Sequence, residues 1–145
     1  MYTTHHLSRR NVLGFIIASA STSVFAAMGE EMSAPDALAA SKAGKLTLVD
    51  IRTPGEWAQT GVPSGAARID IQNPKGVSGF VEEILRQTKG DKNAPVALIC
   101  RSGNRSTQAQ RLLEAQGFTH VVNVKEGMSG SSAGPGWLRR ALPLQ

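Results

Sequence analysis

The run Pro95-Val96-Ala97-Leu98-Ile99 leads directly into Cys100, the chain's only cysteine. Five consecutive apolar residues without alternation read as a strand buried on both faces. Behind it come a short polar run, Arg101-Ser102-Gly103-Asn104-Arg105, and a helical pattern from Ser106 to Gln116 stopped by Gly117. A thiol placed between a buried strand and a helix start lies where backbone N–H groups converge and the helix dipole favours negative charge. A cysteine there is expected to ionise more readily than a free one, and the thiolate is the reactive form.

The rest of the chain repeats this alternation. Ser33-Ala34-Pro35-Asp36 starts a helix that runs to about Ser41 and ends at Gly44. Leu46 to Ile51 reads as the first central strand, and Thr53-Pro54-Gly55-Glu56 is a capping box opening a short helix through about Gln59. Gly61 to Gly65 is turn chemistry, Ala66 to Ile71 a second strand, and Gly76 to Thr88 a helix with Phe80, Val81, Ile84 and Leu85 on one face. His120 to Val124 is a further strand. Gly127 to Gly136 is a Gly/Ser-rich loop, and Trp137 to Leu142 a last helical turn. Strands alternating with helices predict an α/β fold with a mainly parallel central sheet flanked by helices on both faces. Ligands of such sheets sit beyond the carboxyl ends of strands, where Cys100 lies.

Residues 1–27 have the layout of an export signal. His5, His6, Arg9 and Arg10 form a positive start, Val12 to Ala27 is uncharged and apolar or small, and Val24-Phe25-Ala26 precedes a cleavage point. Ser8-Arg9-Arg10-Asn11-Val12-Leu13 resembles the bacterial twin-arginine signal, although Val12 and Gly14 depart from it, and the general secretory route stays open. The expectation is a cleaved, periplasmic protein with one domain over residues 28–145 and no stable membrane insertion. Removing Arg9 and Arg10 takes the formal net charge from +5 to +3. No Lys/Arg-rich run appears, so nucleic acid is not an expected partner. One cysteine forbids an internal disulfide, and His120 is the only histidine beyond the leader, so no metal site and no cofactor are expected.

From about Ala34 to the C-terminus the chain resembles a single-domain rhodanese, a sulfurtransferase. The matching pieces are Leu48-Val49-Asp50-Ile51-Arg52-Thr53-Pro54-Gly55-Glu56-Trp57, Gly61, Gly65-Ala66, Cys100 through Ser106, Glu126-Gly127-Met128, and Trp137 through Leu142-Pro143. Three positions depart: Val62 stands where the family often has histidine, Glu126-Gly127 where it has a Gly-Gly pair, and Ser129 to Gly136 is longer than the usual connection. These bear on the rim of the site more than on its chemistry.

The resemblance implies a three-layer rhodanese-like fold and a site on Cys100. The amides of Arg101, Ser102, Gly103, Asn104, Arg105 and Ser106 would wrap a persulfide, while Asp50 and Arg52 give structural support. With four residues between Cys100 and Arg105, the loop is one residue shorter than in related phosphatases and suits sulfur better than phosphate. The implied reaction moves sulfane sulfur from a small anionic donor, thiosulfate or a similar one, through a Cys100 persulfide to a thiol or cyanide acceptor. A sulfur-acceptor protein is an open partner. Two cationic residues, Arg101 and Arg105, favour thiosulfate by the same resemblance. The alternatives are a cysteine-dependent phosphatase and a non-catalytic persulfide carrier or binding module.

Overall fold

The computed structural model describes residues 31–145; the leader lies outside the described residues. The elements follow in the order α1 (Ala34–Lys42), β1 (Thr47–Asp50), α2 (Pro54–Thr60), β2 (Ala67–Arg68), α3 (Gly76–Gln87), β3 (Val96–Ile99), α4 (Asn104–Ala115), β4 (Val121–Asn123) and α5 (Gly136–Arg139). The four strands form one all-parallel sheet in the order β2-β1-β3-β4.

The period of two along each strand sorts the core into two halves. Leu48, Ala97, Ile99 and Val122 pack under α1 and α5, with Trp57 of α2 against them. Val49, Val96, Leu98 and Val121 pack under α3 and α4, through Phe80, Ile84, Ala109 and Leu113. Cys100 continues β3 onto this second face. Every residue of β3 is buried, as its unbroken apolar run requires.

Three boundaries differ from the sequence reading by more than one residue. β2 is only two residues long, although Ile69 and Ile71 still donate to Asp50 and Ile51. It is the edge strand, and its regular pairing stops where Ile69 and Asp70 leave the ladder. α4 begins at Asn104, two residues before the apolar pattern starts, because Gly103 adopts a left-handed cap (φ 90°) and starts the turn early. The last helix, expected over Trp137 to Leu142, is the single turn Gly136–Arg139.

Glu126, read from sequence only as a departure from Gly-Gly, is a structural tie. Its buried carboxylate accepts from the Ala34 amide (2.7 Å), the Gly136 amide (2.8 Å) and Arg140 Nε (2.8 Å). It therefore pins the starts of α1 and α5 to the segment after β4. Burial works to raise this carboxyl, but the Arg140 pair and the two amides outweigh it and hold it below the ordinary value.

Candidate active site

β1 and β3 run side by side with Asp50 opposite Ile99. Their carboxyl ends therefore deliver Arg52 and the Cys100 loop to the same edge of the sheet. Cys100 is 1% exposed. Its Sγ accepts from the Gly103 amide (3.2 Å) and the Ser106 amide (3.4 Å), and the thiol lies 3.4 Å from Ser106 Oγ. The Ser106 hydroxyl in turn donates to the Gly103 carbonyl, which also accepts from Thr107 Oγ1 at 2.7 Å. These bonds curl the loop around the sulfur, with the first turn of α4 pointing its amides inward.

Two glycines make that curl sterically allowed. Gly103 has φ 90°, and a Cβ there would strike the Lys125 carbonyl; Gly127 has φ 68°, and a Cβ there would meet the backbone of Arg101 and Ser102. The segment after Gly127 is bonded directly to the loop, Met128 N to Cys100 O and Ser129 N to Arg101 O, each 2.9 Å. Gly127→Ala is therefore expected to cost about 3 kcal/mol or more, combining left-handed strain with backbone overlap. Thermal melting checks the loss, and an unchanged midpoint would mean the two segments separate freely.

The sequence-expected residues are distributed as follows. Gly103 and Ser106 contact the sulfur. Ser102 is exposed in the loop, and Asn104 is exposed on the first turn of α4. Arg101 is exposed and lines a cleft of about 210 Å³ together with Arg52, Glu56, Gln59, Thr60 and Ser129. Arg105 does not extend toward that cleft as an unpaired charge. Its guanidinium forms a two-pronged pair with Glu56, at 2.7 and 2.8 Å. Asp50 and Arg52 form a buried pair at 2.7 Å, from which Arg52 also reaches Thr60 Oγ1 (2.8 Å) and the Gly61 carbonyl (2.9 Å). His120 precedes β4 at the far end of the sheet from Cys100. No cluster of metal-ligating side chains occurs among the described residues.

The Glu56–Arg105 pair was not legible in the sequence, where Glu56 read as a capping residue. It does cap: Thr53 Oγ1 accepts from the Glu56 amide (3.4 Å) and donates to its carboxylate (3.2 Å). The Arg105 bond lowers the Glu56 carboxyl from 4.5 to about 2, against a smaller opposing effect of burial. Because the folded value lies below the unfolded one, this stabilisation is complete above about pH 4.5 and is lost as pH falls toward 2. Urea unfolding at neutral pH and at about pH 3 should show wild type losing about 1–2 kcal/mol more than Glu56→Gln. An equal loss in both would place the pair in solvent.

A parallel α/β domain whose central strand ends on a cysteine cradled by a helix N-terminus defines a cysteine-loop protein, built for chemistry or binding at sulfur. The rhodanese-like domain family model matches residues 33–133, and the chain belongs to that family. It is 35% identical over 97 residues to a sulfurtransferase of Allochromatium vinosum, covering 67% of this chain and 76% of that protein. It is 33% identical over 75 residues to the thiosulfate sulfurtransferase PspE of Escherichia coli, covering 52% of this chain and 64% of that one. Among solved structures it resembles the polysulfide-sulfur transferase homodimer of Wolinella succinogenes, with a TM-score of 0.60 and 26% identity, covering 83% and 82% of the two chains. The family is thus a sulfurtransferase family.

Proposed function

We propose that this protein is an exported thiosulfate sulfurtransferase that carries sulfane sulfur on Cys100. The observation that carries the reading is the pair of amides, Gly103 and Ser106, directed at Sγ at the start of α4. Donors fixed in that position stabilise negative charge on sulfur without reorganising. The Cys100 thiolate attacks the outer sulfur of thiosulfate; the donor's S–S bond breaks and sulfite leaves with the electron pair. A Cys100 persulfide results. A thiol or cyanide then attacks the terminal sulfur, the persulfide S–S bond breaks, and the Cys100 thiolate is returned. No proton has to be taken from carbon, so the sequence needs no histidine beside the cysteine. The physiological acceptor in this reading is a thiol, free or on a partner protein, in the periplasm to which the leader directs the chain.

Intact mass measurement of the full chain after thiosulfate treatment tests this. A gain of one sulfur atom, lost again on adding cyanide, is expected. No gain overturns the reading. Release of phosphate from an aryl phosphate faster than thiocyanate from thiosulfate and cyanide would replace it with the phosphatase alternative. A stable sulfur adduct with turnover slower than hours would make the protein a carrier.

A further inference from the structure

Three arginines gather at the carboxyl ends of β1 and β3, yet their charges are not equally available. Arg52 is buried on Asp50. Arg105 is held by both oxygens of Glu56. Arg101 is exposed, has no side-chain hydrogen bond or ion pair among the described residues, and shares the cleft with the Glu56 carboxylate. The loop therefore presents one uncompensated cation where its composition counts two. Arg105 directly precedes Ser106, whose amide points at the Cys100 sulfur from 3.4 Å, so the Glu56–Arg105 pair sits on the loop that cradles the reacting atom.

We infer that Glu56 sets the charge selectivity of the sulfur donor: by neutralising Arg105 it narrows the site's advantage for a dianion such as thiosulfate and admits sulfane donors of one negative charge beside it. This rests on the sulfur-transfer reading of Cys100 and specifies the donor class for it. Glu56 acts through Arg105 and is a positioning residue. Thiosulfate, a dianion, brings two charges toward a thiolate with only Arg101 to meet them. A thiosulfonate carries the same outer sulfur on a monoanion. Its reaction is otherwise the same: the thiolate attacks the outer sulfur, the S–S bond breaks, and sulfinate leaves with the electron pair.

The test compares kcat/KM for thiosulfate and methanethiosulfonate, with excess cyanide as acceptor, in the full chain. Glu56→Gln keeps the side chain's length and removes its charge. It should raise the thiosulfate-to-thiosulfonate ratio about tenfold, as expected for one charge several ångströms away at a partly exposed site, mainly through KM for thiosulfate. Glu56→Asp retains the charge and should keep the wild-type ratio. Gln59→Lys adds a cation on the same cleft from the exposed side of α2 and should shift the ratio the same way by about threefold. If Glu56→Gln does not fold, Gln59→Lys decides alone: a shift supports the inference and no shift overturns it. Equal losses on both donors in Glu56→Gln and Glu56→Asp would make Glu56 purely structural and also overturn it. Failure of wild type to take sulfur from either donor is a different result, which removes the function reading itself.

Discussion

Cys100→Ser is expected to abolish sulfur transfer, with turnover falling at least about a thousandfold and no sulfur adduct in the mass spectrum. The replacement is nearly isosteric, so the fold should survive it. A serine Oγ can accept from the same Gly103 and Ser106 amides and share a hydrogen bond with the Ser106 hydroxyl. Stability should change by only about 1 kcal/mol. The chemistry does not survive, because a hydroxyl is a poor nucleophile at neutral pH and there is no sulfur to carry the persulfide. Cys100→Ala would also be inactive but should be less stable, since two inward-pointing amides lose their acceptor and each unsatisfied buried donor costs about 1–3 kcal/mol. The contrast between the two variants separates the cradle from the reaction. Residual turnover in Cys100→Ser above a few per cent of wild type would show that the transferred sulfur never rests on this residue.

What the sequence disclosed divides along the range of the interactions concerned. β3 and its cysteine were legible because an unbroken apolar run has one economical reading, and the following Gly117 marked where α4 ends. The start of α4 was not, since Asn104 and Arg105 carry no apolar signal and the helix begins on the left-handed Gly103. β2 shortened because residues of an edge strand are held from one side only. The pairs that organise the site escaped notice for a different reason. Glu56 and Arg105 lie 49 positions apart, and Glu126 reaches the Ala34 amide across 92. No local period records such partners. A hint was present for Glu126, a carboxylate set among Val121, Val122, Val124 and Met128, because a charge in a buried segment must find donors. For Arg105 the hint was its place in the first turn of a helix, where a positive charge opposes the dipole unless a carboxylate accompanies it. The long loop after Met128, which matched the composition of a loop, is held by Ser131 on the Lys125 carbonyl and by a tight turn to Gly134.

The largest loss of stability should come from Asp50→Ala. Asp50 is fully buried and Arg52 is 2% exposed at its side chain, so neither charge is shared with water. Both carboxylate oxygens are occupied: Oδ1 accepts from the Arg52 amide (3.1 Å) and Nε (2.9 Å), and Oδ2 from Nε (3.1 Å) and the terminal guanidinium nitrogen (2.7 Å). Removing the carboxylate leaves a guanidinium stranded beneath α2, with only Thr60 and the Gly61 carbonyl to hold it. A broken buried pair of this kind costs about 3–5 kcal/mol, a large fraction of the roughly 5–15 kcal/mol that holds a domain together. Asp50→Asn, which keeps the shape and one acceptor, should cost about half as much. Replacing both residues by leucine should recover part of the loss, because desolvation of the pair disappears with it, but not all, because Arg52 also closes the end of α2. Urea unfolding with an unchanged slope measures each value. A cost for Asp50→Ala below about 1 kcal/mol would mean that the guanidinium reaches water, and that β1 does not depend on this pair to hold Arg52 and α2 beside the cysteine loop.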